Sequence, residues 1–153
     1  MAKNTIVLKN YLNVFEEFTA AAAITPGHLI ELIAAGTVQV HATADGIAIP
    51  MFAIENNLEG KGIDDAYIAA DKVQVWIPQR GDIVNALLAN GETAVIGSKL
   101  TSAGDGTLKV YDVAASGAVI EAPVLIVGIA RNAVDMSGSS ALDPDGRIEL
   151  MVV

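Results

Sequence analysis

The chain has 153 residues, 52% of them hydrophobic, 5% aromatic and 18% charged, a length and apolar content that fit one domain able to bury its own core. Eighteen acidic residues against nine basic ones leave a net charge of −9, which argues against binding a nucleic-acid backbone or an anionic membrane surface. Cysteine is absent, so disulfides, thiol catalysis and thiolate metal sites are excluded. So few charges on so apolar a chain imply that another subunit or partner covers part of the surface. The longest apolar run, Ala118 to Ala130, is interrupted by Glu121 and Pro123 and is too short to span a bilayer. The N-terminus lacks the continuous apolar centre of a secretory signal, and the expectation is a soluble protein of intracellular origin.

Residues 1–19 differ in character from the rest of the chain and are expected to form an N-terminal arm, with 20–153 a single β-rich domain. Within the arm, Val7, Tyr11, Val14, Phe15 and Phe18 would share one helical face, whereas Ile6, Leu8 and Leu12 fit an extended strand; it reads as an arm or edge strand. Ala20 to Ala23 link it to the body. Pro26-Gly27 make a turn ahead of Leu29–Ile33, read as a strand because strand grammar continues beyond it. Val38, Val40 and Ala42 alternate with Gln39, His41 and Thr43, and Asp45-Gly46 then leads into "IAIPMFAIE", the pattern of a hairpin. Beyond the loop Asn56–Asp65, the stretch Lys72–Pro78 alternates, with Val73, Val75 and Ile77 on one side and Gln74 and Trp76 on the other. Gly81-Asp82 turns into Ile83–Leu88, the turn around Asn90-Gly91 into Thr93–Gly97, and Asp105-Gly106 into Thr107–Val113. Ala122–Val134 reads as a strand buried on both faces, Asp135–Gly146 as a loop and Arg147–Val153 as the last strand. Turns roughly every eight to twelve residues, with no long helical period, predict an all-β fold, a small barrel or sandwich.

Candidate chemistry is sparse. Arg80-Gly81-Asp82 spells the tripeptide that many adhesion ligands present to integrins, but Pro78 precedes it and the strand-like "IVNALL" comes directly after it. Gly supplies a turn there and Asp caps it, so a turn is the expected role. His28 and His41 are the only histidines and lack metal-ligand spacing. Asp143, Asp145 and Glu149 only partly match a calcium loop, and an Asp-Pro-Asp-Gly turn accounts for them; Ile63–Asp71 is the other acidic cluster. The glycine rhythm around Gly81–Gly97 occurs in lipoyl and biotinyl carriers, but the equivalent hairpin tip, Ala89–Thr93, has no lysine to acylate. No catalytic residue, metal site or cofactor is expected. A small β-barrel metal-binding enzyme or carrier, with His28, His41 and the acidic turns as its site, is the alternative.

The succession "VQVWIPQRGDIVNALLANGETAVIGSKLTSAGDGTLKV", then "APVLIVGIARNAVDMSGSSALDPDGRIELMVV", resembles the head decoration (cement) proteins of tailed bacteriophages. The residues that carry the likeness are Gly81, Asp82, Gly91, Gly97, Leu100, Asp105, Gly106 and Leu108, then Gly128-Ile129-Ala130, Ala133-Val134-Asp135 and Arg147-Ile148-Glu149-Leu150, spread over Lys72 to Val153. The resemblance implies a β-tulip-like fold and a binding function. It implies a homotrimer on the outer surface of an expanded capsid, bridging neighbouring major capsid proteins, located in the virion after synthesis in the host cytoplasm. The arm then becomes the expected capsid contact, through Ile6, Val7, Leu8, Tyr11, Leu12, Val14, Phe15 and Phe18, while Gly81, Asp82, Asp105 and Gly106 serve as turn residues.

Overall fold

The computed structural model describes residues 3–12, 14–112, 126–140 and 146–153. The protein is all-β. Among the described residues the regular elements are strands and a single 3₁₀ turn, Asn57–Glu59. A five-stranded ring forms the larger unit. It contains β7 (Ile83–Leu88), β9 (Lys99–Ser102), β10 (Leu108–Val110), β11 (Gly128–Ala130) and β13 (Gly146–Val152), in the order β7-β10-β9-β11-β13. Pairing of β13 with β7, from Gly146↔Leu88 to Met151↔Ile83, closes the ring into a barrel with no free edge. Within this ring only β10 and β7 run parallel.

Alternation in "RIELMVV" explains the last strand. Ile148, Leu150 and Val152 are buried in the barrel with Val84, Ala86 and Leu88 of β7 and with Leu100, Leu108 and Ala130. Strand β7 is buried along its whole length, which is why "IVNALL" lacks a polar face. Its main chain is covered from outside by other segments: Asn85 N–H donates to Ile6 O (2.8 Å), and Leu87 N–H donates to Gly27 O (3.3 Å). Two short strands, β8 (Thr93–Ala94) and β12 (Val134–Asp135), pair beside the barrel.

A second sheet has the order β3-β4-β2-β6-β5, built from β2 (Phe15–Ala20), β3 (Ile30–Ala34), β4 (Thr37–Val40), β5 (Phe52–Ala53) and β6 (Lys72–Trp76). A bridge between Leu29 and Phe52 ties its two ends, with Ile30 N–H donating to Met51 O (3.0 Å) and Ala53 N–H to His28 O (3.1 Å). Inside this curled sheet lie Ala20, Ile30, Val38, Ala53, Val73 and Val75, packed with Ile24, Met51 and Tyr67. Strand β6 belongs to both cores. Val73, Val75 and the half-buried Ile77 face the second core, while Trp76 on the other side is fully buried in the barrel core with Phe52 and Leu29. The side shared with Gln74 therefore carries the largest apolar group at the junction of the two sheets.

Several expected elements differ in the structure. The hairpin expected around Asp45-Gly46 does not form, because β5 pairs with β6 and not with β4. The residues between are tied to the barrel instead: Asp45 N–H donates to Ser102 O (3.0 Å), and Lys109 Nζ meets Asp45 Oδ2 at 2.6 Å. Pro50, which has no N–H to donate, lies in the same stretch. The hairpin that does form joins β3 and β4 across Ala35-Gly36. The stretch Thr93–Gly97 is a strand only at Thr93–Ala94, since Val95 to Ser98 turn, with Ser98 N–H donating to Val95 O (2.9 Å). Of the long strand expected over Ala122–Val134, the described part is two short strands separated by a bend at Arg131-Asn132; Ala122–Leu125 lies outside the described residues, as do Val113, Asp143 and Asp145.

The N-terminal segment is extended and hydrogen-bonded into both sheets. Its first strand, β1 (Val7–Lys9), pairs with β7 through Val7↔Val84 and Lys9↔Ile83. Strand β2 lies between β4 and β6, with five paired positions from Phe15↔Trp76 to Thr19↔Lys72. Ile6 is fully buried in the barrel-side core.

Candidate functional site

The residues expected to touch a capsid divide by burial. Ile6 is buried, Val7 and Leu8 are half-buried, and Phe18 packs partly buried against the second core. Tyr11 (90% exposed), Leu12 (56%), Val14 (37%) and Phe15 (46%) project to solvent. These four large apolar side chains stand within one short stretch between β1 and the start of β2, and so dense an exposed cluster is uncommon away from interaction surfaces. The backbone beneath them is held from both sides. Tyr11 N–H donates to Asp82 Oδ1 (2.9 Å), and Ile77 N–H donates to Val14 O (2.9 Å).

Asp82 answers the question raised by Arg80-Gly81-Asp82. Its side chain is only 3% exposed, and its carboxylate accepts from Tyr11 N–H and, through Oδ2, from Gln79 N–H (2.7 Å). Gly81 sits at φ +93°, a left-handed conformation that side-chain-bearing residues adopt at a cost. Its N–H donates to Val152 O (2.9 Å), and Val152 N–H donates to Asp82 O (3.0 Å). The tripeptide is a turn bolted to β13, and its carboxylate faces inward to hold the N-terminal segment.

Asp105-Gly106 closes the β9–β10 hairpin and does a second job. Asp105 Oδ1 accepts from Thr107 N–H (3.0 Å) and Thr107 Oγ1 (2.5 Å). Gly106, at φ +85°, gives its C=O to Leu29 N–H (2.8 Å) and its N–H to His41 O (3.2 Å), clamping the barrel hairpin onto the second sheet. A Cβ there would stand 2.9 Å from Val40 Cβ and 3.0 Å from His28 Cγ, so only glycine fits the approach.

The histidines are engaged in that junction. His28 Nδ1 accepts from Thr25 N–H (3.1 Å), and burial holds its pKa down at about 4; nearby Asp105 pulls the value up and Arg147 pushes it further down. His41 is buried, with Nδ1 2.7 Å from Ser102 Oγ and Nε2 3.1 Å from Ile47 O. The carbonyl can only accept, so Nε2 carries the proton in the neutral ring and Nδ1 accepts from the serine hydroxyl. Among the acidic residues, Asp64 pairs with Arg147 (3.1 Å), Asp65 accepts from Gly62 N–H (2.7 Å), Asp71 accepts from Ile68 N–H (2.9 Å), and Glu149 pairs with Lys3. Among the described residues no group of three or more His, Asp or Glu is placed to hold a metal, and none of the described helices is long and apolar enough to cross a membrane.

Further exposed apolar side chains were not singled out from sequence. Leu32 and Ile33 stand at the end of β3, Ile47 and Ile49 in the loop before β5, and Val95 and Ile96 on the turn after β8. The consecutive apolar pairs Leu32-Ile33 and Val95-Ile96, each close ahead of a glycine, are the available signal, because an apolar run that reaches a turn lies where connections cross the surface.

No family model and no curated protein matches the chain. Among solved structures its fold is similar to that of a phage-head component. That structure is the N base of the head fiber gp8.5 of bacteriophage phi29, matched with a TM-score of 0.56 over 93% of this chain and 95% of that one, at 14% identity. The likeness establishes a shared fold along nearly the whole chain.

Proposed function

We propose that this chain is a structural protein of a tailed-phage head, a decoration protein that binds the outer capsid surface as a homotrimer and stabilises contacts between major capsid proteins. The observation that carries the reading is the end-to-end fold likeness to the base of a phage head fiber. Exposed Tyr11, Leu12, Val14 and Phe15 supply an apolar contact surface, and Ile6, Val7, Leu8 and Phe18 hold that part of residues 1–19 on the body formed by 20–153. The protein acts by binding and not by catalysis, and uses no cofactor. Many copies on a shell would make weak apolar contacts effective through avidity. A net charge of −9 suits a position outside the shell, away from packaged nucleic acid. The protein is made in the host cytoplasm and ends in the virion.

The test is addition of purified protein to expanded heads that lack it. Co-sedimentation with the heads, threefold stoichiometry in solution by sedimentation equilibrium, and increased resistance of the heads to heat are expected. Absence of binding to expanded heads would refute the reading, and a monomer in solution would remove the trimer from it.

A further inference from the structure

Strand β2 has one edge fully used and half of the other edge open. Ile77 N–H donates to Val14 O and Ala20 N–H donates to Asp71 O, each at 2.9 Å, so the even-numbered residues direct their main-chain groups at β6. Alternation turns the N–H and C=O groups of Phe15, Glu17 and Thr19 the other way. Thr19 N–H finds Gly36 O there at 2.8 Å, and Thr19 and Ala20 pair with Thr37 and Val38 of β4. Strand β4 begins at Thr37, so among the described residues no strand lies beside Phe15 and Glu17 on that side. Phe15, Glu16 and Glu17 are all exposed, and their pairing with β6 runs without a register shift. Natural sheet edges are commonly blunted by proline, a bulge or charged side chains. Phe15–Phe18 has neither proline nor bulge, and its charges, Glu16 and Glu17, are both acidic, so they repel an acidic strand and leave the edge open to a basic one.

We propose that the open edge of β2 at Phe15 and Glu17 accepts an extended strand carrying both basic and apolar residues. The inference rests on the head-surface reading and names the partner within it: a segment of the capsid's own protein. Charge selects this donor. Glu16 and Glu17 point to opposite faces, so a strand laid along the edge meets a carboxylate on each side, next to the exposed ring of Phe15. A second copy of β2 laid antiparallel in the register that joins Phe15 to Glu17 would oppose Glu16 to Glu16 in the closest kind of cross-strand pair, which disfavours self-association through this edge. A donor with Lys or Arg opposite Glu16 and an apolar residue beside Phe15 satisfies the main chain, the charge and the ring together.

Glu17→Pro tests the edge, because it removes an outward N–H and leaves the ladder to β6, which uses the even-numbered residues, in place. Glu17→Ala is the control that removes the carboxylate and keeps the N–H. The probe is the expanded head of the phage that carries this chain, stripped of it, with binding read by co-sedimentation. Wild type is expected to bind, Glu17→Ala to remain within about threefold of it, and Glu17→Pro to bind at least about tenfold more weakly at unchanged melting temperature. Equal binding by wild type and Glu17→Pro overturns the edge proposal and leaves the head-surface reading standing; absence of wild-type binding overturns both. Equal losses in the two variants also overturn it, since the side chain and not the main chain would then be the contact. Amide exchange on wild-type protein needs no variant: the Phe15 and Glu17 amides are expected to slow at least about tenfold on the heads, and unchanged exchange at both removes the proposal.

Discussion

Acid should loosen this protein at the junction of its two sheets, through His28. The ring is mostly buried, accepts from Thr25 N–H and packs against Gly106, and its pKa is held at about 4 against an ordinary 6.5. The unfolded chain therefore binds a proton that the folded one refuses. A depressed folded value means that the neutral ring's contribution is complete above pH 6.5, declines as pH falls, and is gone below about 4. The gap between the two values corresponds to about 3 kcal/mol in all, of which about 2 kcal/mol is already lost between pH 7 and pH 5. Urea unfolding of wild type and of His28→Asn at pH 7, 6 and 5 isolates the effect, because other titrating groups are common to both and largely cancel. The stability advantage of wild type over the variant is expected to shrink by about 2 kcal/mol across that interval. A difference that stays constant from pH 7 to pH 5 would refute the reasoning and place the protonated ring in contact with solvent or with the Asp105 carboxylate.

Other substitutions separate the roles of the residues around the candidate surface. Asp82→Ala leaves the N–H groups of Tyr11 and Gln79 without their acceptor, and a loss of about 2–3 kcal/mol in chemical denaturation is expected; unchanged stability would mean that water serves these donors equally well. Gly106→Ala forces a side chain into left-handed backbone and against Val40, with an expected cost of about 1–3 kcal/mol seen as a lower melting temperature. Tyr11→Ser with Leu12→Ser should change stability by less than about 1 kcal/mol, since both side chains are exposed, yet weaken attachment to heads at least about tenfold. Ile6→Ala should do the opposite at first order, costing about 2–4 kcal/mol of stability by opening a cavity in the barrel-side core. Deletion of residues 1–19 would remove β1, most of β2 and Ile6 together, so it reports on folding and not on docking.

Local chemistry was legible in the sequence. The turns at Gly81-Asp82 and Asp105-Gly106 and the alternation of Val73, Val75 and Ile77 depend on a few adjacent residues; in the structure Gly81 lies at φ +93°, Asp82 accepts from Gln79 N–H, and Val73, Val75 and Ile77 face one core. The site was legible only in part. Ile6 and Tyr11 belong to the same apolar stretch, and periodicity does not tell which one a barrel will cover. That division comes from Asn85 N–H reaching Ile6 O and from Asp82 drawing Tyr11 N–H to the turn. Both contacts join residues far apart in the chain.

By itself the sequence determined an all-β chain, its main turns, its last strand and a negatively charged, thinly charged surface, because turn preference and period-two burial are properties of neighbouring residues. The tertiary structure alone decided which strands meet. It paired β5 with β6 where a hairpin with β4 was expected, sent Trp76 into the barrel core from the face it shares with Gln74, and wove the N-terminal segment into both sheets while leaving half of one edge of β2 open. A strand's period says that one face is buried but not by what, and partners distant in sequence compete for the same backbone groups; only the folded chain resolves that competition.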